Sequence, residues 1–278
     1  MLANVWYDLC KKNTSFHPIL FHYKKIKLKK AYTIVNYLNS KDIKKKLEKL
    51  NVEAIIHTAG LASVEKCEKN KKEAIKSNYS ITKSLVKSIS NKNIKFIYIS
   101  TDHLFDGKKI KKGYTEKCKT KPLNYYAKTK LMSERYIKKN YSNHLIIRSN
   151  FFGKGSKFKK SFSDNIIFNL KKKRELNLFT DVYFNPVAMP ELVRTSMRLL
   201  KKDKKGIFNI STNKAVSKYT FGRRLAKFKG LNENLIKPIF LKSLNLTKRP
   251  LSMYIKNNKI KKILRFNSSL ERNFAIGT

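Results

Sequence analysis

The sequence predicts an α/β fold built on a parallel sheet with helices on both faces. Three observations carry that expectation: short apolar runs rich in β-branched and aromatic residues, lysine-rich segments of helical spacing between them, and small or polar residues closing each run. The runs are Pro18 to Tyr23, Ala54 to His57, Phe96 to Ser100, Leu145 to Ile147 and Ile207 to Ile210. The segments Lys41 to Leu50, Glu65 to Ser90, Tyr126 to Asn140 and Pro190 to Lys202 are expected to be helices, with Ile81, Leu85 and Ile89 recurring at i, i+4 and i+8. Strands alternating with helices of this length require crossovers, which make the sheet parallel and bury both its faces. The closing clusters are His57-Thr58-Ala59-Gly60, Ser100-Thr101-Asp102 and Arg148-Ser149-Asn150. They should converge at the carboxyl ends of the strands, where open sheets of this kind bind ligands. The first domain is expected over 1–150. After about Asn150 the alternation loosens into Gly153, Gly155 and an amphipathic segment, Phe158 to Leu170. A smaller lobe is expected over 151–278, with a strand near 206–211 returning to the main sheet.

Composition bounds the partners. The 278 residues hold 64 Lys or Arg against 18 Asp or Glu, a net charge of +46. Such a surplus attracts polyanions, yet the lysines are spread along the whole chain instead of forming one stripe, so a solvated basic surface is expected and nucleic acid is not expected as a specific partner. A positive field still favours small anionic ligands such as nucleotides. No run approaches the length of a membrane span and no secretory signal is visible, so the default compartment is the cytoplasm, with no membrane partner. Cys10, Cys67 and Cys118 lack metal-ligand spacing and are expected to be packing thiols; no metal site is assigned.

The most informative spacing is Tyr126 to Lys130, four residues apart at the start of an expected helix and so on one face. A nearby ammonium lowers a phenol's pKa by favouring the phenolate, which makes such a pair a tunable proton donor. Thr101, at a strand end, would add a hydroxyl to the same reacting oxygen. Taken alone the pair is weak in a chain with 14 tyrosines.

Its surroundings are more specific. The stretch Tyr98-Ile99-Ser100-Thr101-Asp102-His103-Leu104-Phe105-Asp106-Gly107 is followed by Tyr114-Thr115-Glu116 and then by Pro122-Leu123-Asn124-Tyr125-Tyr126-Ala127-Lys128-Thr129-Lys130, with Glu134 beyond. This order closely resembles the extended short-chain dehydrogenase/reductase superfamily, and within it the dTDP-4-dehydrorhamnose reductase family. Ile55 to Gly60 with Val64 to Glu68, Asn78, Arg148 to Gly153, Thr180-Asp181, Gly206 to Ser211 and Arg249-Pro250 agree in order, so the resemblance covers about residues 18 to 265. It implies a Rossmann-type doubly wound domain that binds NADPH (or NADH) and a lobe that holds a nucleotide-linked 4-keto-6-deoxy sugar, as in dTDP-rhamnose biosynthesis, with a homodimer as a further expectation. On that resemblance Thr101, Tyr126 and Lys130 are catalytic. Ala59, Gly60 and Leu61, with Tyr126 and Lys130, line the cofactor, while Thr101, Asp102 and Arg249 meet the substrate. Asp181 and Asp102 also suit turn-fixing roles, and His57 and His103 are expected to be hydrogen-bonded structural residues.

Two departures affect the adenosine half of the cofactor. The family's glycine-rich turn after the first strand is missing, because the first glycine in the chain is Gly60. The segment Leu2 to Cys10 resembles the helix that follows that turn, so the chain is expected to begin after the first strand, leaving its neighbours' edges exposed. Tyr37-Leu38-Asn39-Ser40 stands where the family shows Asp-Leu-Thr-Asp. Lys24 and Lys25 offer only weak support for a 2′-phosphate. The retained Thr101, Tyr126 and Lys130 favour a reductase. The missing turn leaves open a catalytically defective relative that binds a sugar nucleotide or acts as a regulatory subunit, as the β subunit of methionine adenosyltransferase does.

Overall fold

The computed structural model describes residues 1–13, 16–22, 32–90, 93–108, 111–155 and 160–278. Helix α1 (Leu2–Lys11) precedes β1 (Leu20–His22) and β2 (Tyr32–Ile34), which pair in parallel. Helix α2 (Ser40–Glu48) leads to β3 (Ala54–His57). The expected helix from Glu65 to Ser90 is divided into α3 (Val64–Lys69), α4 (Lys71–Ala74), a π-helical turn over Ile75–Ser80, and α5 (Ile81–Ser88). Asn70 makes the break: at φ −128° and ψ 83° it leaves helical geometry, and its side chain accepts from the Glu73 N–H. Asparagine competes with the helical backbone in this way, so it favours caps over helix interiors.

Strand β4 (Lys95–Ile99), helix α6 (Tyr125–Asn140) and strand β5 (His144–Arg148) complete the first half. The second half runs β6 (Phe151–Phe152), α7 (Phe162–Lys171), β7 (Leu176–Phe179), β8 (Tyr183–Phe184), β9 (Val187–Ala188), α8 (Met189–Lys201) and β10 (Gly206–Asn209). It ends with β11 (Val216–Ser217), α9 (Lys218–Phe228), β12 (Ile236–Ile239), β13 (Ser252–Met253), α10 (Asn258–Leu264) and α11 (Leu270–Gly277).

The main sheet has the order β10-β5-β4-β3, all parallel, with Phe96, Ile97, Tyr98 and Ile99 facing His144, Leu145, Ile146 and Ile147. Alternation along β4 sorts its side chains between two cores. Ile97 and Ile99 pack with Leu2 and Trp6 of α1 and Leu192 of α8, whereas Phe96 and Tyr98 pack with Ile43 of α2, Leu85 of α5 and Ile137 of α6. Both faces are thus covered, which is why β4 reads as a continuous apolar run. A separate core around Phe152, Phe184, Phe221 and Phe274 belongs to the second half. The halves interleave, because α8, α10 and β10 lie beyond residue 150 yet build the first core and the sheet.

A buried ion pair ties helix to sheet. Glu134 of α6 is 1% exposed and Arg148 at the end of β5 is 3% exposed. Arg148 Nε and Nη2 donate to Glu134 Oε1 and Oε2 at 3.0 and 2.6 Å, and the Ser100 hydroxyl donates to Oε1 at 2.6 Å. Removing one partner of such a pair strands the other charge without water. Glu134→Gln is therefore expected to lower stability by about 3–5 kcal/mol in urea unfolding, while the paired replacement Glu134→Met with Arg148→Met recovers most of that loss. Equal losses from the single and the paired change would remove the pair from this role.

Candidate active site

The segments that follow β3, β4 and β5 meet one another and the first turns of α6 through hydrogen bonds of Asn78, Thr101, Asp102 and Asn150. Three constraints hold the first turn. Asn124 caps it by accepting from the Ala127 N–H at 3.0 Å, and its own amide donates to the Lys248 carbonyl at 3.1 Å. The Tyr125 N–H donates to Glu68 Oε2 at 2.9 Å. These interactions set Tyr126, one residue further on, against Thr101.

Burial pushes the Tyr126 phenol up to about 12, and a hydrogen bond with Thr101 draws it partly back. The phenol is consequently protonated at neutral pH. Thr101 is itself fixed, accepting from the His103 N–H at 3.2 Å and donating to Asp102 at 3.3 Å. Asp102 is buried and accepts from the Asn150 amide at 2.9 Å, which joins the ends of β4 and β5. The His103 ring stands edge-on to the Tyr126 ring, 5.7 Å between centroids.

Lys130 occupies the same face of α6 but is engaged differently from expectation. Its ammonium donates to the Ile99 carbonyl at 2.7 Å and lies 4.1 Å above the Tyr98 ring. Burial pulls its pKa down to about 7, with the Glu134 carboxylate acting in the opposite sense. The groups that act on the Tyr126 phenol are Thr101, Asp102 and Cys67, so the expected lowering of its pKa by Lys130 is absent from this arrangement.

The segment Ala59-Gly60-Leu61 is tied to α6 through Asn78. The Asn78 carboxamide accepts from the Leu61 N–H at 2.7 Å and donates to the Leu61 carbonyl at 3.1 Å and to the Thr129 hydroxyl at 2.9 Å. Asn78 sits in the π-helical turn, and its own carbonyl accepts from both Thr82 and Ser133 at 2.7 Å. Such turns free backbone groups for uses of this kind. Gly60, at φ +157°, passes so close that a Cβ would lie 2.6 Å from the Asn78 oxygen. His57 is buried, its Nε2 3.0 Å from the Thr82 hydroxyl and its pKa pulled down to about 3 by burial.

Across the crevice, Arg249 pairs with Glu65 and donates to the Thr247 carbonyl at 3.3 Å. Asp181 fixes a turn, accepting from the Leu241 N–H at 3.0 Å. Composition did not single out Lys218, the first residue of α9. Its ammonium lies 3.2 Å above the Phe184 ring and 4.7 Å above Phe162, and burial pulls its pKa down to about 7 against the raising influence of Asp102. Nothing in its sequence neighbourhood distinguishes it among 64 basic residues; only its tertiary position does.

The residues present fit one end of a dinucleotide. Tyr126, Thr101, Lys130 and the Gly60 approach suit a nicotinamide riboside. A pyrophosphate needs a glycine turn before a helix. Residues 1–59 contain no glycine, and Met1 caps α1 without a side-chain bond. Lys24 and Lys25 lie outside the described residues. Among the described residues, no group of three His, Cys, Asp or Glu side chains is placed to hold a metal ion, and no helix is long and apolar enough to cross a membrane.

The fold is that of the Rossmann-type reductases and epimerases. The chain belongs to the RmlD substrate-binding domain family, whose profile matches residues 21–273. It is 29% identical over 159 residues to a dTDP-4-dehydrorhamnose reductase of Salmonella typhimurium, a match covering 55% of this chain and 50% of that protein. The chain thus spans about half the length of that relative. It is 26% identical over 271 residues to methionine adenosyltransferase 2 subunit beta of Xenopus tropicalis, covering 95% of this chain and 79% of that one. The crystal structure of a Bacillus anthracis dTDP-4-dehydrorhamnose reductase in complex with NADP superimposes with a TM-score of 0.83 at 20% identity, covering 93% and 97% of the two chains.

The buried amines generate a pH dependence. Lys130 and Lys218 titrate near 7 when folded, against an ordinary 10.5, so from pH 7 to 9 the unfolded chain binds more protons than the folded one. Stability therefore rises with pH across that window, until the burial-raised Cys67 thiol, at about 11 against 9.0, opposes it above pH 9. Thermal unfolding at constant ionic strength should show the rise, and Lys130→Met should remove about half of it. An unchanged slope in that variant would exclude Lys130 as a source.

Proposed function

We propose that the protein reduces a nucleotide-linked 4-keto-6-deoxy sugar with a nicotinamide cofactor, in the manner of the dTDP-4-dehydrorhamnose reductases. One observation carries this reading: the Tyr126 phenol stands against the Thr101 hydroxyl at the end of β4, on the helix face that also bears buried Lys130. A bound reduced nicotinamide would supply the hydride that adds to the ketone carbon. Tyr126, held protonated by burial, gives its proton to the oxygen of that ketone, and Thr101 would turn its hydroxyl proton from Asp102 to the same oxygen as negative charge gathers there. On moving from the Ile99 carbonyl to a ribose hydroxyl, Lys130 would hold the riboside and bring a positive charge under the phenolate that remains. Asp102 keeps Thr101 in place. Lys218 and Arg249 suit the diphosphate of the sugar nucleotide, whose charge would hold Lys218 protonated and compete with Glu65 for Arg249.

A regulatory, non-catalytic subunit is the second reading. One observation favours it: the match to the methionine adenosyltransferase subunit runs over 95% of the chain.

The two readings part on one assay. With NADPH and a dTDP-4-keto-6-deoxy sugar, the reductase reading expects loss of NADPH absorbance, and Tyr126→Phe should lower the rate by about a hundredfold or more at unchanged melting temperature. No turnover together with no NADPH-induced rise in melting temperature leaves the regulatory reading.

A further inference from the structure

We infer that Glu65 is an internal competitor for the anion that Arg249 binds: its carboxylate holds the guanidinium until a diphosphate displaces it. The inference rests on the reading that places the diphosphate of a sugar nucleotide at Arg249. It names the residue that sets the affinity of that subsite and keeps small inorganic anions off it.

The pair joins the two halves of the chain. Glu65 is the second residue of α3, and Arg249 lies between β12 and β13, 184 positions further on. Arg249 is presented by backbone that is tied on both sides. The Lys248 carbonyl accepts from the Asn124 amide at 3.1 Å, the Leu251 carbonyl accepts from the Tyr183 N–H at 2.7 Å, and the Ser252 N–H donates to the Gly107 carbonyl at 3.2 Å. Pro250 is buried against Gly107, which stands at φ +80°; a Cβ there would lie 2.7 Å from the Pro250 Cα. The guanidinium is therefore a fixed cation, its Nε already given to the Thr247 carbonyl. Glu65 is the movable member. Val64 and Cys67 anchor α3 in the interior, while the Glu65 side chain is 52% exposed against 18% for Arg249. Rotation about its own side-chain bonds takes the carboxylate into water, and no core contact breaks when it leaves.

The contact stands beside the reacting groups. The His103 N–H donates to the Thr101 hydroxyl and the His103 ring is edge-on to Tyr126. Burial holds that imidazole below its usual pKa, and Asp102, Lys218, Arg249 and Glu65 all act on it, so the pair and Lys218 share one neighbourhood. A phosphate oxygen can replace the carboxylate there, because the fork of guanidinium N–H groups fits both anions. The charge of +46 explains what the competition achieves. It draws every small anion toward the surface, and an unmasked arginine beside Lys218 would collect inorganic phosphate. With Glu65 on the guanidinium, each anion that uses Arg249 has its apparent affinity reduced by the same factor. A ligand with further contacts through its nucleoside and sugar tolerates that loss, whereas an inorganic anion has only the phosphate contact.

The test is a double-mutant cycle, read by calorimetric titration of the 278-residue protein with inorganic pyrophosphate, dTDP and thymidine at fixed ionic strength. Glu65→Gln removes the charge and keeps the shape at an exposed position, so the fold is retained. The proposal expects this variant to bind pyrophosphate and dTDP about threefold more tightly, by one common factor, with no gain for thymidine. In an Arg249→Met background the same substitution should leave both affinities unchanged, because the carboxylate then has no guanidinium to mask. Unchanged, weaker or undetectable binding of pyrophosphate by Glu65→Gln overturns the proposal. Equal tightening in both backgrounds also overturns it, since net charge alone would then account for the effect. Pyrophosphate that tightens as expected, beside dTDP that binds no better than pyrophosphate, supports the competition and counts against the sugar-nucleotide reading, so the two fail separately.

Discussion

The bidentate pair between Glu134 and Arg148 is the constraint on which the rest of the crevice depends. Both groups are removed from water, so each is tolerable only while the other and the Ser100 hydroxyl remain in place. The pair joins the middle of α6 to the ends of β4 and β5, and those are the elements that carry Lys130, Thr101 and Asn150. A shift of α6 along its axis would separate Tyr126 from Thr101 and expose a charge at the same time. Glu116 extends the lattice, its carboxylate accepting from the Asn209 N–H at 2.9 Å at the end of β10. The strand ends are thus held by enclosed polar bonds, while apolar packing holds the strands themselves.

Burial also sets the chemistry. In a chain of net charge +46, two amines with pKa values near 7, Lys130 and Lys218, each hold a proton that moves near neutral pH. The phenol is shifted the other way, to about 12, which makes it a proton donor at rest. Lys130 rests on a backbone carbonyl, a position from which it must move to meet a ribose. Buried titratable groups shifted in opposite senses at neighbouring positions are what marks this cluster as a candidate site.

The site proposed for a nicotinamide is built from Tyr126, Thr101, Lys130, Asn78 and Gly60, and residues 1–59 hold no glycine to form a turn that brings backbone amides to a phosphate.

The sequence by itself determined the α/β class, the position of β3, β4, β5 and β10 to within a residue or two, and the family. Period-2 and period-3.6 patterns are local, and the ordered motifs from Thr101 to Lys130 are compact. That residues 1–59 hold no glycine was legible too, since it is a matter of composition. What only the tertiary structure decided is whatever depends on distance between remote stretches. Asn70 breaks the long helix because its side chain captures a nearby N–H, a competition that helical spacing does not register. Lys218 is separated from the other lysines by two aromatic rings brought from residues 162 and 184. The partner of Lys130 is a carbonyl 31 positions away, and the environment that raises Tyr126 is made by folding. Local pattern sets which elements form; desolvation and pairing, which exist only once the chain has closed on itself, set what the side chains can do.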